Sequence, residues 1–206
     1  MPGDERTVRV SLAVQVADDF APRRRPLGEI AVTLRGQQKT PVVTPGGYRV
    51  FLGLPAGAAV VDIRGRFYLA ESRTVTVPLS NVRNPLLTVT LMPRWFYPFP
   101  EGTTLVQGRV LDPDGAALDG AQVELTGAGR QTRTSEDGRF AIYLTGLTEE
   151  EVTTSGGRLF VRASGGGTAF TLRVRQAGFR EATVAIPQIE EGRTLRLADP
   201  VAMVRT

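Results

Sequence analysis

Apolar and polar residues alternate along most of the chain. In TLRVR, Leu172 and Val174 lie on one side of an extended strand, and Arg173 and Arg175 lie on the other. The segments TVTVPL and VELT have the same period of two, and glycine or proline separates such runs about every 8–12 residues. The longest candidate for a helical stripe is LTEEEV at 147–152, which predicts at most a short helix or a loop. The pattern therefore predicts antiparallel sheets packed face to face.

The same pattern occurs twice, about 91 residues apart. LGEIAVTL at 27–34 corresponds to LDGAQVEL at 118–125, and TPGGYRVFLGLPAG at 44–57 corresponds to TSEDGRFAIYL at 134–144. The sequence thus predicts an all-β protein with two tandem antiparallel β-sandwich domains. We place them at 1–92 and 103–206, joined by a linker at 93–102. The second contains an insertion at about 145–170, which we expect to form a hairpin or a mobile flap.

The predicted linker is unusually aromatic. MPRWFYPFPEG, residues 92–102, contains three prolines and four aromatic side chains, so it favours a stiff extended connection over a paired strand. Aromatic surface of this size is costly to leave in water. Two interpretations stay open. Trp95, Phe96, Tyr97 and Phe99 plug a seam between the domains, or they form a docking site for a partner or a neighbouring copy.

Composition excludes several kinds of chemistry. The chain has no cysteine and no histidine, which rules out disulfides, thiolate nucleophiles, cysteine/histidine zinc sites and histidine acid–base catalysis. Its acidic clusters, Asp18-Asp19, Glu149–Glu151 and Glu190-Glu191, fall in predicted turns or loops, where solvated charges are usual. SGGGT lacks the lysine and helix of a phosphate cradle. We expect no enzyme activity, no catalytic residues, no cofactor and no metal site.

The N-terminal sequence and the hydropathy of the chain bear on where in the cell the protein is expected. Asp4, Glu5 and Arg9 interrupt the apolar core that a signal peptide needs, and no run approaches the roughly 20 apolar residues of a membrane span. The expectation is synthesis in the cytoplasm without a cleaved signal peptide, followed by incorporation into an assembled particle.

Charge is distributed unevenly. Residues 1–94 contain 13 basic and 7 acidic residues, whereas residues 95–206 contain 12 basic and 14 acidic residues. Opposite ends of two copies could therefore attract each other. Arg23, Arg24 and Arg25 lie between two prolines in a predicted loop, either as a solvated tip or as an anchor for an acidic surface. The modest net charge of +4 and the lack of interleaved aromatics disfavour nucleic acid as the partner.

The second repeat resembles a known family. GRVLDPDGAALDGAQVELTGAGRQTRTSEDGRFAIYL, residues 108–144, has the order strand, D-x-x-G turn, strand, T-x-x-D-G-x-F strand. This resembles the carboxypeptidase regulatory-like domain, a transthyretin-like, Ig-like β-sandwich. The resemblance is clear in the C-terminal half. In the N-terminal half it is degenerate, because GGYRVFLGLPAG lacks the acidic residue. The resemblance implies the accessory domain that accompanies a zinc peptidase. The chain has no histidine that could serve as a zinc ligand of that peptidase.

The acidic tips DPDG and SEDG have two interpretations. Asp137-Gly138 is predicted as a hairpin turn in which glycine adopts a positive φ, and Asp112, Asp114 and Gly115 are expected to do the same in the other tip. The alternative is a Ca²⁺ loop, but the series of oxygen ligands and the closing glutamate are absent. The residues therefore favour turns.

These observations predict a non-catalytic structural or adaptor protein that makes protein–protein contacts within a larger assembly. A phage-tail-like or contractile injection particle is one setting that fits. The alternative is a carbohydrate-binding or surface-adhesion module, for which Tyr68, Trp95 and Tyr97 are the candidate aromatic residues.

Overall fold

A computed structural model describes residues 10–81 and 83–206. The chain divides into two compact units, Met1–Pro93 and Arg94–Thr206, called here the first and second domains. Regular structure in the described residues is almost entirely strand, and the one helix is a three-residue 3₁₀ turn at Glu149–Glu151 within the predicted LTEEEV segment. The predicted all-β fold is confirmed.

The described residues of the first domain form seven strands: Val10–Asp18 (β1), Ile30–Leu34 (β2), Val42–Val43 (β3), Arg49–Leu52 (β4), Gly57–Gly65 (β5), Glu71–Val77 (β6) and Leu86–Leu91 (β7). The second contains twelve: Thr104–Leu111 (β8), Gln122–Thr126 (β9), Arg130–Arg133 (β10), Arg139–Leu144 (β11), Val152–Ser155 (β12), Arg158–Val161 (β13), Phe170–Arg175 (β14), Phe179–Arg180 (β15), Ala182–Ile186 (β16), Thr194–Arg196 (β17), Val201–Ala202 (β18) and Val204–Arg205 (β19).

Two sheets form the first domain, in the orders β3-β4-β1-β7 and β2-β5-β6. Their facing sides supply the core. Leu12 and Val14 from β1 and Phe51 from β4 are at most 1% exposed, as are Val61 and Ile63 from β5. These residues occupy alternate positions, which is the burial that the period-two pattern predicts.

The second domain repeats this topology. One sheet has the order β11-β8-β17, with β18 also paired to β8, and the other has the order β10-β9-β14-β16. In each domain the first strand is central and pairs antiparallel with a strand from the middle of the domain, β4 or β11. Residues 152–161 of the predicted insertion form a separate hairpin, β12–β13.

One feature of both domains differs from the antiparallel prediction. The first strand also pairs in parallel with the last: β1 with β7, and β8 with β17 and β18. Parallel neighbours need a long crossover. Here the intervening strands of the other sheet provide it, so the last strand returns to the free side of the first. Alternation of residues does not distinguish the two directions.

The core of the second domain centres on β11. Phe140, Ile142 and Leu144 point inward and are 5% exposed or less. Opposite Phe140, Gly108 on β8 leaves the required space, because a Cβ atom there would lie 2.7 Å from the Phe140 ring.

The SEDG tip is a turn, but the prediction of a hairpin is wrong. It joins β10 to β11, and these strands belong to different sheets, so the turn carries the chain from one layer to the other. Gly138 has φ +74°, and a Cβ atom there would lie 2.5 Å from the carbonyl oxygen of Val110. Glycine is therefore required both by backbone conformation and by contact with β8. The sequence of a turn and of the two strands beside it does not show which sheet each strand joins.

A matched pair of glycine substitutions separates these two requirements. Gly115, in the DPDG turn, has φ +80° with no atom within 4 Å of its missing Cβ. Gly115→Ala should cost about 1–2 kcal/mol from conformation alone. Gly138→Ala should cost clearly more, as measured by urea denaturation followed by Trp95 fluorescence. Equal costs would show that the contact with Val110 relaxes freely.

Truncating the core should have a larger effect. Phe140→Ala should lower the free energy of unfolding of the second domain by roughly 3–5 kcal/mol, because it removes a buried ring and leaves a cavity. Val204→Ala is the control, since Val204 is 58% exposed. A loss below about 1 kcal/mol for Phe140→Ala would contradict the assigned core.

Candidate functional site

The predicted partner-binding residues fall into two groups. Arg23, Arg24 and Arg25 are exposed in the loop between β1 and β2, where the Arg25 guanidinium donates a hydrogen bond to the carbonyl oxygen of Pro45 at 2.7 Å. They belong to the first domain, whereas Trp95, Phe96, Tyr97 and Phe99 belong to the second. Whether either group binds a partner stays a prediction.

The aromatic segment, residues 94–100, packs on the outer face of the β8–β11 pair. Gln107 on β8 donates a hydrogen bond to the carbonyl oxygen of Trp95 at 3.2 Å. At the other end, the Phe99 ring lies 5.8 Å from the ring of Tyr143 on β11. Ala141 lies between these points on β11 and is 3% exposed, although it faces away from the core. The segment therefore forms an outer layer of the second domain.

The four aromatic rings differ in exposure. Tyr97 is 6% exposed and packs against Phe99 at 4.8 Å between ring centroids. Phe96 is 37% exposed and stands edge-on to Trp95. A partner that bound this segment would therefore reach Phe96 before it reached Tyr97.

Asp137 connects the aromatic segment to the SEDG turn. One carboxylate oxygen accepts hydrogen bonds from the Ser135 hydroxyl at 2.7 Å and the Arg139 backbone N–H at 3.1 Å. The other accepts one from the Trp95 indole N–H at 3.0 Å. Burial raises the pKa of Asp137, but these hydrogen bonds and the Arg139 charge outweigh that effect and hold the pKa below its usual range.

Next to Trp95 is a cleft of about 410 Å³ lined by three arginines, Arg109, Arg139 and Arg196. Arg139 lies over the Trp95 ring at 4.4 Å from its centroid and directly opposite Arg109 on β8. Like charges placed opposite each other on neighbouring strands are normally unfavourable. The Arg109 Nε donates to the backbone carbonyl of Asp137 at 3.0 Å. We call the cleft lined by Arg109, Arg139 and Arg196 the arginine cleft.

The cleft is open because the strand beside β8 is interrupted. Arg196 on β17 is in register with Gln107, and Val201 on β18 is in register with Val110. Four residues, 197–200, therefore lie opposite only two residues of β8, so they must bulge away from it. Leu197 and Phe140 line the resulting opening.

A second cleft, of about 740 Å³, lies between the insertion and the loop after β9. Gly129, Arg130, Leu147, Glu150 and Arg162 are among the residues that line it. Glu151, which also lines it, accepts hydrogen bonds from the backbone and hydroxyl of Thr148, which hold its pKa below the usual range.

The carboxylates singled out as possible ligands serve local structure. Asp112 accepts hydrogen bonds from the backbone N–H groups of Asp114 and Ala116, which closes the DPDG turn. Asp18 was expected in a turn or loop as a solvated charge, and this is wrong: it is the last residue of β1, is 1% exposed and accepts a hydrogen bond from the Tyr68 hydroxyl at 2.8 Å. Among residues 10–81 and 83–206, no group of three or more acidic side chains is placed to hold a metal ion.

The aromatic residues proposed for sugar binding are mostly inaccessible. Tyr68 is 0% exposed and Tyr97 is 6% exposed, so the prediction that they offer exposed ring faces is wrong. Both rings are buried within their domains, and the sequence pattern around a single tyrosine does not show that it is buried. Arg139 lies over one face of Trp95.

Sequence reasoning missed the arginine cleft. Its signal was present in part, because Arg109 and Arg139 occupy outward positions of the alternating pattern. Their proximity depends on strand order, and that order could not be obtained from the alternation alone.

Comparison with known proteins confirms the family resemblance of the second half. A model of the carboxypeptidase regulatory-like domain matches residues 105–157, about a quarter of the chain, from β8 through the start of the β12–β13 hairpin. No curated protein matches the chain significantly.

Several solved structures show distant similarity. The Bacillus anthracis TIE protein is 13% identical with a TM-score of 0.33, and the match covers 96% of this chain and 34% of that one, so the chain spans about a third of its length. GBS52, the minor pilin of Streptococcus agalactiae, is 14% identical with a TM-score of 0.33, covering 95% and 97% of the two chains. The shaft pilin spaA of Lactobacillus rhamnosus GG is 9% identical with a TM-score of 0.29, covering 97% and 98%.

The described residues contain no helix with the length and apolar character needed to span a bilayer.

Asp137 gives a pH-dependent test of the hydrogen bonds around Trp95. Its lowered pKa means that folding favours the ionised form. Its contribution is therefore present above the ordinary aspartate pKa of about 3.9 and is lost as the pH falls from there through the lower folded-state pKa. Asp137→Asn should therefore reduce the loss of stability between pH 7 and pH 3, measured by urea denaturation. Asp119→Asn, at an exposed carboxylate, is the control. An unchanged pH dependence in Asp137→Asn would contradict the assigned role.

Proposed function

We propose that the protein is a non-catalytic structural protein that makes protein–protein contacts within a larger assembly. The observation that supports this most directly is an apolar row on the outer face of the first domain. Antiparallel sheets that face water usually carry polar residues on that side. An apolar outer face on a folded sheet indicates a surface that another molecule covers.

The row crosses all four strands of one sheet. Val42 on β3 is in register with Val50 on β4, Val50 with Ala13 on β1, and Ala13 with Leu86 on β7. Their chain neighbours Leu12, Val14 and Phe51 are buried in the core. Because side chains alternate across a strand, Val42, Val50, Ala13 and Leu86 all lie on the outer face.

A second pair extends the row. Val10 on β1 is in register with Leu52 on β4. They are 45% and 37% exposed, and Val42 is 55% exposed. Val43 follows Val42 on the edge strand β3 and is 62% exposed, but alternation turns its side chain to the opposite face, so it is not part of the row. We call Val10, Val42, Val50, Leu52, Ala13 and Leu86 the apolar row.

Edge strands offer unpaired backbone groups to other chains unless charge or shape protects them. β3 is two residues long, which limits pairing through the backbone, and its side chains are both valine. The geometry therefore favours contact through the sheet face over addition of a strand. The occupant that this chemistry fits is an apolar surface of a protein partner.

The setting of this assembly stays a proposal. The phage-tail-like or contractile injection particle and the association with further copies of the chain are proposed from the sequence.

A charge placed in the apolar row should weaken partner binding without unfolding the domain. Val42→Glu should change the free energy of unfolding by no more than about 0.5 kcal/mol, because Val42 is an exposed edge residue. It should weaken binding about tenfold or more, because an unpaired carboxylate would be buried in the contact.

The partner is first identified by in-cell crosslinking from a photoreactive residue at position 52, a member of the row, and is then purified and titrated by calorimetry against each variant. Thr88→Glu is the matched control, since Thr88 is exposed on the same face and pairs with Gln15 outside the row. Equal binding by wild type and Val42→Glu, or equal weakening by both variants, would contradict the assignment of the row as the contact.

A further inference from the structure

The arginine cleft contains more positive charge than its surroundings neutralise. The Arg196 side chain makes no hydrogen bond or ion pair with any residue that the structure describes, although its backbone belongs to the β17–β8 ladder. The Arg109 Nε donates a hydrogen bond to a backbone carbonyl, which is neutral and therefore leaves the positive charge of Arg109 unbalanced. Arg139 pairs with the Asp137 carboxylate at 3.9 Å, so its charge is partly offset, whereas the charges of Arg109 and Arg196 are not offset by an ion pair within the described residues.

We propose that the arginine cleft binds a single carboxylate side chain presented by a protein partner. A guanidinium offers two parallel N–H donors that match the two oxygens of a carboxylate. Arg139, Arg109 and Arg196 belong to the adjacent strands β11, β8 and β17, and all three line the same opening. An acid placed there would also relieve the repulsion between Arg109 and Arg139.

The size and lining of the cleft suit a side chain. Its volume of about 410 Å³ lies at the lower end of the range for small-ligand sites. Leu197, Phe140 and Gly108 form an apolar part of the lining, against which the methylene groups of a glutamate can pack, and the three arginines of the same lining can pair with its carboxylate.

A protein acid fits better than a nucleic acid. Asp199 lines the cleft, and Glu136 and Asp137 lie beside it, so a chain of phosphates that continued past the cleft would meet negative charge. Arg139 also covers one face of Trp95, which removes that face as a stacking surface for a base. An isolated carboxylate meets neither obstacle.

This inference rests on the proposed function for its meaning, since it names a second contact with a protein partner. It is independent of the apolar row, which lies in the first domain. The peptide experiment below needs no natural partner, so its failure would refute the arginine cleft and leave the proposed function standing. Loss of partner binding by Val42→Glu would, in turn, say nothing about the cleft.

The test uses the chain's single tryptophan, Trp95, which lines the cleft and reports on it by fluorescence and by its indole N–H resonance. The full chain is titrated with a blocked triglutamate peptide, a blocked triglutamine peptide and inorganic phosphate. We expect a saturable change with triglutamate that weakens as salt is added, and none with triglutamine. Equal responses to both peptides, or tighter binding of phosphate, would overturn the assignment.

Variants localise the response. Arg196→Gln should weaken triglutamate binding about tenfold or more, because a charge-assisted contact is lost, and Arg196→Lys should restore it only in part because lysine lacks the paired donors. Arg180→Gln is the control for loss of one positive charge, since Arg180 is exposed elsewhere in the second domain. Similar effects of Arg196→Gln and Arg180→Gln would show that net charge alone attracts the peptide, and the cleft would be rejected.

Discussion

Each domain is organised around its first strand, which must be paired on both sides before the fold exists. β1 needs β4 and β7, and β8 needs β11 with β17 and β18. These partners come from the middle and the end of the domain sequence. The central pairings are therefore non-local, and the domain closes only when its last strand arrives, which is the kind of topology that folds slowly. The core residues Leu12, Val14, Val106 and Val110 all lie on these two strands and are fully buried.

The aromatic segment is a second structural layer attached to that framework. It begins where the second domain begins and covers outward-facing positions of β8 and β11 that would otherwise be wet. Asp137 joins this layer to the turn between the two sheets through the Trp95 indole. The same arrangement fixes Trp95 and Arg139 at the edge of the arginine cleft, so a structural contact and a candidate binding surface share one wall. Residues 197–200, which connect β17 to β18, line the rest of the cleft.

The sequence predicted the features that depend on local pattern. Alternation was enough for the strands and for the burial of Phe140 and Ile142, and the D-x-x-G and D-G-x-F motifs were enough for the family resemblance in the second half. Features that depend on which strands become neighbours were missed. The SEDG turn was expected within one sheet, Tyr68 was expected at the surface, and Arg109 and Arg196 were not singled out at all. In each case the deciding contact joins residues far apart in the chain, as with Tyr68 and Asp18.

The parallel pairing of the first and last strands has a mechanical consequence. In the first domain, six successive register pairs run from Ala13 and Leu86 to Asp18 and Leu91, and both strands point the same way. The chain therefore enters this sheet at one end and leaves it at the other. Tension applied between those ends would act along the two strands and load their hydrogen bonds together in shear, instead of opening them one at a time. A module built in this way resists extension far better than a hairpin with the same number of bonds.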